Sequence, residues 1–100
     1  MATTSKVLFR GAASTGSATL YTVPSATTTV VTNIAITNTA TSGATFTLLL
    51  DDVELQKDTP IDGNSTIYID LKQVLATTET IKGLASAITV DFHISGVEIA

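Results

Sequence analysis

Apolar and polar residues alternate over several short segments of this chain. In residues 88–95, Ile88, Val90, Phe92 and Ile94 share one parity, and polar side chains occupy the other. Because successive side chains of a β-strand point to opposite faces, this period of two predicts a strand with one buried face. Further segments that read as strands are residues 7–9, 20–23, 30–36, 45–50, 53–55 and 66–71.

The alternation also assigns faces. Phe46, Leu48 and Leu50 are predicted to point inward, and in residues 66–71 the isoleucines point inward while Tyr68 points outward. In residues 30–36 the even positions are the more apolar, which places Val30 on the inner face. After Gly96 the apolar residues change parity, so either the strand ends there or a bulge at Gly96 keeps the following residues buried.

Turn signals separate these segments. Asp51-Asp52 predicts a hairpin turn, residues 58–64 read as a loop, and only residues 71–76 have a helical composition. Strands that follow one another without helices predict an all-β fold, an antiparallel β-sandwich or jelly roll. A length of 100 residues and a mass of 10.3 kDa predict one domain, residues 1–100.

The amino-acid composition indicates which kinds of partner the protein can bind. Hydrophobic residues make up 44% of the chain and charged residues only 14%, so hydroxyl groups supply most of the polarity. Buried hydroxyls cost less than buried charges, which favours surfaces that pack against a neighbour. The net charge of −4 is repelled by a phosphate backbone, so no nucleic-acid partner is expected.

The absence of cysteine excludes a disulfide framework, a thiolate nucleophile and a cysteine zinc site. The first ten residues lack the apolar run of a secretory signal, and no apolar stretch approaches the length of a membrane span. We therefore expect synthesis in a cytoplasm, with no membrane partner.

The chain contains few residues of the types that usually carry out catalysis, with one histidine and no cysteine. His93 is the single histidine and lies on the predicted outer face, where a surface or subunit contact is the simpler interpretation. Hydrolysis needs a nucleophile, a base and a group that orients the base, and no such set is recognisable. We expect no catalytic residue, no cofactor and no small-molecule ligand.

Acidic residues cluster between positions 51 and 62. Oxygen-rich clusters can hold calcium, but the spacing here is not that of an EF-hand loop. A solvated turn is the preferred interpretation, so no metal site is predicted. Tyr21, Tyr68 and His93 are the natural contacts if the protein binds sugar.

Several strand-and-turn motifs are similar to those of small virion proteins of tailed bacteriophages. They are Leu20-Tyr-Thr-Val-Pro24, Thr28-Thr-Val-Val31, Ile34-Ala-Ile-Thr-Asn-Thr39, Phe46-Thr-Leu-Leu-Leu50, Ser65-Thr-Ile67, Asp70-Leu-Lys-Gln-Val-Leu75, Glu79-Thr-Ile-Lys-Gly83 and Phe92-His-Ile-Ser-Gly-Val-Glu-Ile99. The resemblance covers the chain from about residue 20 onward. It implies a non-enzymatic β-sandwich on the capsid surface of a virion, made in the bacterial host cytoplasm. Asp51-Asp52 departs from it, since such proteins often have glycine in this turn.

The implied role is capsid decoration, in which a homotrimer cements the major capsid protein at capsomer junctions. The alternative is a tail-fibre or baseplate module that recognises host carbohydrate. Residues 1–19 are either an extended arm with a linker or an ordinary first strand. The candidate contacts are Val7, Leu8, Phe9, Arg10, Tyr21, Tyr68 and His93.

Overall fold

Eight β-strands build the protein. The structure is a computed structural model and describes residues 2–100. The strands are β1 (Thr3–Ala12), β2 (Ala18–Thr22), β3 (Thr28–Asn38), β4 (Ala44–Leu50), β5 (Val53–Ile61), β6 (Ser65–Leu75), β7 (Thr80–Ala85) and β8 (Val90–Ile99).

The strands form two four-stranded antiparallel sheets. The first sheet has the order β1-β8-β3-β6, and the second has the order β2-β7-β4-β5. Pairing is nested, because β1 pairs with β8, β2 with β7, β3 with β6 and β4 with β5. The predicted all-β fold, an antiparallel β-sandwich, is confirmed.

The core lies between the two sheets. Phe46 of the second sheet and Phe92 of the first meet edge to face, with ring centroids 6.3 Å apart and an interplanar angle of 73°. Aliphatic side chains such as Ile34 and Leu48 surround them and are fully buried. Each such side chain contributes about 1.5–3 kcal/mol by leaving water. The inward assignments of Phe46, Leu48, Val90 and Phe92 are confirmed.

A bulge in β3 reverses the predicted faces at one end of that strand. The register with β8 shifts between Val31 and Asn33, which leaves Thr32 as an extra residue. Val31 is therefore fully buried, and Val30 lies on the outer face opposite Val97. The prediction that Val30 points inward is wrong, because a bulge changes the parity and leaves little trace in sequence.

Strand β8 has no bulge at Gly96. Every residue from Asp91 to Ile99 pairs in register with β1, and the extra residues lie in the neighbouring strands, at Leu8 in β1 and Thr32 in β3. Val97 and Ile99 consequently remain on the outer parity of β8, half-buried. The prediction of a bulge at Gly96 that buries Val97 and Ile99 is therefore wrong.

Asp51 and Asp52 form the two-residue turn between β4 and β5. Both have positive φ, 52° and 60°, as a type I′ hairpin turn requires at its two central positions.

Strand β5 continues to Ile61, so the predicted loop at residues 58–64 starts too early. Asp58 lies within this strand and has a φ of 46°, in the left-handed region. The register between β5 and β4 is irregular at this position.

Two further predictions are wrong. Residues 71–75 belong to β6 rather than to a helix, because pairing with β3 overrides their helical propensity. Ile88 lies in the connection between β7 and β8 and is 69% exposed instead of buried.

No helix in the described residues 2–100 is long and apolar enough to cross a membrane.

The first strand is part of the sandwich. Residues 3–12 pair with β8, and Leu8 is buried against the core. Residues 13–17 connect this strand to β2.

Candidate docking surface

The outer face of the first sheet gathers three of the predicted contact residues into one row. Arg10 of β1 lies opposite His93 of β8, His93 lies opposite Ala35 of β3, and Ala35 lies opposite Tyr68 of β6. Because neighbouring strands are about 4.8 Å apart, this row spans about 14 Å from Arg10 to Tyr68. We call these four residues the transverse row.

An apolar row lies on the same face. Val97 of β8 pairs with Val30 of β3, which in turn pairs with Val74 of the edge strand β6. Val7 of β1 pairs with Ser95, one outer position along β8 from Val97. Together Val7, Val30, Val74 and Val97 form what we call the valine patch.

Exposure distinguishes this face from the rest of the molecule. Tyr68 is 73% exposed, Val74 65% and Val7 45%. In the part of the chain that the structure describes, the other exposed large apolar side chains are Val53 and Ile88, which lie outside the face. The outer face of the first sheet therefore carries an exposed aromatic ring and aliphatic groups among hydroxyls and the charged side chains of Arg10, Asp70, Lys72 and Asp91.

The remaining predicted contacts of β1 point away from this face. Leu8 is buried, and Phe9 pairs with the inward Ile94 and packs against the core. The bulge at Leu8 accounts for this arrangement, because it places two successive side chains, Leu8 and Phe9, on the inner side. Only Val7 and Arg10 of the Val7–Arg10 segment are presented outward.

Tyr21 lies in the interior. Its side chain is 9% exposed, and its hydroxyl donates to the carboxylate of Glu98 and lies 2.8 Å from Thr29 Oγ1. Glu98 also accepts from Lys6, at 3.4 Å from Nζ. Since Tyr21 belongs to the second sheet and the other three residues to the first, these four residues form a polar link between the sheets. Tyr21 has a structural role here and is not presented to a partner.

This environment shifts the titration of the phenol. Burial first, and then the hydrogen bond to the Glu98 carboxylate, raise the pKa of Tyr21 to about 12. The sequence missed Glu98, although strict alternation after Val90, Phe92 and Ile94 would have placed it inward.

The acidic residues of positions 51–62 are dispersed. Lys82 Nζ lies 2.6 Å from Asp52 Oδ1, and Lys57 Nζ lies 3.1 Å from Glu54 Oε2. Across residues 2–100, no group of three His, Cys, Asp or Glu side chains converges as metal ligands would. The carboxylate of Glu79 interacts with that of Asp51 at the hairpin turn.

The cross-strand neighbours of His93 are Arg10 and Ala35. Asp91 and Ser95 lie two positions away from His93 on the same face of β8. In this position the imidazole can donate or accept one hydrogen bond toward a docked surface.

Three members of the valine patch escaped the sequence reading. The sequence pattern predicts Val30 on the inner face and Val74 in a helical segment, and it leaves Val97 either beyond the end of the strand or buried after a bulge at Gly96. The signal that identifies Val97 is the unbroken parity of β8, which puts every odd position outside once Gly96 is accepted as a normal strand residue.

The chain matches no model of a known protein family, and no curated protein is similar to it in sequence. Among solved structures it is similar to a pentameric capsid protein isolated from metagenomic phage sequences, with 12% sequence identity and a TM-score of 0.41. The similarity covers 94% of this chain and 59% of that one, so this chain spans less than two thirds of its length.

Proposed function

We propose that the protein is a non-enzymatic structural component of a bacteriophage virion, and more specifically a capsid decoration protein that cements the assembled head at capsomer junctions. The observation that carries the proposal is the outer face of the first sheet. There Tyr68, Val74 and Val7 are exposed to solvent, and Val30 and Val97 beside them are half-buried. The motif resemblance supplies the virion as the setting.

The chemistry of this face suits a folded protein surface. Cores of protein interfaces are depleted in charge and enriched in aromatic residues, and polar groups surround them. Tyr68 and the valine patch supply apolar groups of this kind, Thr66 and Thr37 lie beside Tyr68, and Ser95, Asn33 and Asp70 lie between Tyr68 and the valines. The partner we assign to the face is the major capsid protein.

Cementing follows from mass action. A protein that binds only the assembled shell shifts the equilibrium toward assembly, so weak contacts suffice when several act together. A homotrimer, as the resemblance implies, is one way to present several copies at once. We assign the nested strand pairing to the jelly-roll class, which occurs in viral capsid domains and in lectins.

Location is the first test. Immunogold labelling of purified particles, together with mass spectrometry of separated heads and tails, measures where the protein resides and in how many copies. Label spread over the head at a copy number that matches the lattice junctions supports decoration. Label confined to the tail, or absent from both, contradicts it.

The docking face is the second test. Particles that lack the protein are incubated with the wild type, with Tyr68→Ala, or with Ile88→Ala, and binding and heat-induced DNA release are measured. Tyr68 and Ile88 are similarly exposed, at 73% and 69%, but only Tyr68 lies on the face. We expect Tyr68→Ala to weaken binding at least tenfold and Ile88→Ala to leave it unchanged, and equal effects would contradict the assigned face.

A host-carbohydrate module of a tail fibre or baseplate is the second candidate. The observation that favours it is the exposed ring of Tyr68 in one row with His93 and Arg10, since sugars stack on aromatic rings and bond to polar neighbours. A glycan array with wild type and Tyr68→Ala tests it. Tyr68-dependent hits would support this role, and an array without hits would sink it.

A further inference from the structure

Strand β6 is an open edge of the first sheet. It runs for eleven residues and pairs with β3 on one side only. An edge strand of this length presents a row of free backbone donors and acceptors, which is a template for another strand. In β6 the alternation of exposure continues from Ser65 to Lys72, and the register with β3 shifts at Leu71 and Lys72, which both face Thr32.

The side chains of β6 are complementary to themselves. On its outer face the strand carries, in order, Tyr68, Asp70, Lys72 and Val74, all exposed. Charged residues therefore stand in the middle, with opposite signs, and apolar residues stand on both sides of them. An antiparallel copy of this sequence offers the same series in reverse order.

We propose that two copies of this chain pair antiparallel through β6, with the two-fold axis at Leu71. Asp70 then lies opposite Lys72 of the second copy, and Tyr68 lies opposite Val74 of the second copy. Each relationship occurs twice by symmetry, as an isologous interface requires. The inference does not depend on the proposed virion role.

Charge selects this register. Antiparallel pairing keeps inner residues opposite inner residues, so the symmetry axis must fall on a residue and not between two. An axis at Asp70 or at Lys72 sets like charges directly opposite each other, which is destabilising. An axis at Ile69 leaves Lys72 opposite Thr66. The axis at Leu71 pairs opposite charges and also joins the two most exposed apolar side chains of the strand.

The other edge of the first sheet does not offer the same complementarity. Strand β1 carries Lys6 and Arg10 and no acidic residue, so no register of β1 with its own copy places opposite charges opposite each other. Of the two edges of the first sheet, only β6 offers charge complementarity to itself.

Pairing would also cover side chains that one sheet leaves half-buried. Ile67, Ile69 and Leu71 point inward but lie at the margin of the core, where they are only partly covered. In the dimer the first sheet continues across the axis as eight strands, and the margin becomes its centre. Apolar area at this position leaves water, which stabilises the pair.

Charge reversal tests the register. The dissociation constant of the full chain is measured by sedimentation for wild type, Asp70→Lys, Lys72→Asp and the double variant. We expect each single reversal to weaken the dimer about tenfold, because two attractive pairs become two repulsive ones. The double variant should restore wild-type association. All the substituted positions are exposed, so circular dichroism should show unchanged folding.

Cysteine cross-linking gives an independent readout, because the chain has no native cysteine. Leu71→Cys places two thiols opposite each other, with Cβ atoms about 5 Å apart, so mild oxidation should link the copies. Gln73→Cys is the matched control, since position 73 lies about 13 Å from its own copy in this register.

A wild-type chain that sediments as a monomer at millimolar concentration would overturn the proposal. So would an oligomer, including a trimer, whose stability the single reversals do not change, or cross-linking of Gln73→Cys as fast as Leu71→Cys.

Discussion

The carbonyl oxygen of Val30 fills the space in which a side chain on Gly96 would begin. A Cβ at position 96 would collide with that oxygen and would lie 2.9 Å from Leu8 Cδ1. Both neighbours come close because the strands on either side of β8 are bulged at this level, β3 at Thr32 and β1 at Leu8. Glycine is thus the residue that allows two bulged strands to flank a regular one.

Gly96→Ala should therefore destabilise the fold. Because backbone on one side and a buried leucine on the other must shift, we expect a loss of about 1–3 kcal/mol in the free energy of unfolding, measured with denaturant. Gly16→Ala is the control, since a Cβ there meets nothing within 4 Å and the φ of Gly16 is not positive. A loss at Gly96 no larger than that at Gly16 would contradict the close approach.

The polar link between the sheets predicts a cost for Tyr21→Phe. Loss of the hydroxyl leaves the fully buried Thr29 and the largely buried Glu98 without this partner, which costs about 1–3 kcal/mol. Tyr68→Phe should change stability little, because Tyr68 is exposed. Equal effects of the two substitutions in denaturant unfolding would exclude a stabilising link at Tyr21.

The same link predicts an alkaline transition. The pKa of Tyr21 is about 12 in the fold and 10.0 in the unfolded chain, so the folded state retains a proton that the unfolded state loses first. Stability from this group is complete below pH 10 and falls as the pH rises toward 12. Unfolding measured between pH 9 and 11 should show this fall in wild type and not in Tyr21→Phe. Parallel curves for the two proteins would contradict it.

The hairpin turn predicts a stabilising substitution. Partial desolvation, followed by the nearby carboxylate of Glu79, raises the pKa of Asp51, so its charged form is disfavoured in the fold. Asparagine removes the charge and accepts positive φ readily. Asp51→Asn should raise the melting temperature at pH 7.

The sign of the pH effect provides the check on Asp51. Since its pKa is raised in the fold, the wild type loses stability as the pH rises through the carboxyl range, and the variant lacks that loss. The advantage of Asp51→Asn should thus shrink at pH 4. Asp62→Asn, also in a surface turn, controls for removing one negative charge. An advantage independent of pH would assign the effect to the turn conformation alone.

Strand β1 predicts opposite results at two adjacent residues. Leu8 is buried, so Leu8→Ala should cost about 2–4 kcal/mol, whereas Val7→Ala on the outer face should cost little. Docking to particles should respond the other way, with Val7→Ala weakening it in a folded protein. Deletion of residues 2–10 should unfold the chain, as circular dichroism would show. A folded, stable deletion variant would restore the arm interpretation.

Much of the fold could be predicted because one periodicity dominates the sequence. Phe46, Leu48, Phe92 and Ile94 were assigned to the core correctly, since the central parts of their strands alternate without interruption. The sandwich followed from strand spacing and the absence of helices. In β8, where every residue from Asp91 to Ile99 pairs with β1, the local pattern alone assigns the faces.

The candidate surface was harder to predict because bulges control it. Thr32 and Leu8 are the extra residues of two bulges, and each bulge changes which face of the sheet the neighbouring side chains occupy. The residue type at these positions does not indicate a bulge. Part of the transverse row could be predicted from the sequence, since Tyr68 and His93 have outward parity in their own strands. Their alignment with Arg10 required the register between strands, which a single sequence does not contain.

Nested pairing has a consequence for synthesis. Strand β8 lies between β1 and β3, so on a ribosome β1 has no strand of its sheet to pair with until β8 has emerged. Only the hairpin of β4 and β5 joins strands that are close in sequence, and closing the long loops between the other pairs costs entropy. We therefore expect the first sheet to form only after β8 has emerged, over about milliseconds to seconds as for other sheets of distant strands, with β1 and β3 exposed to misassociation during translation.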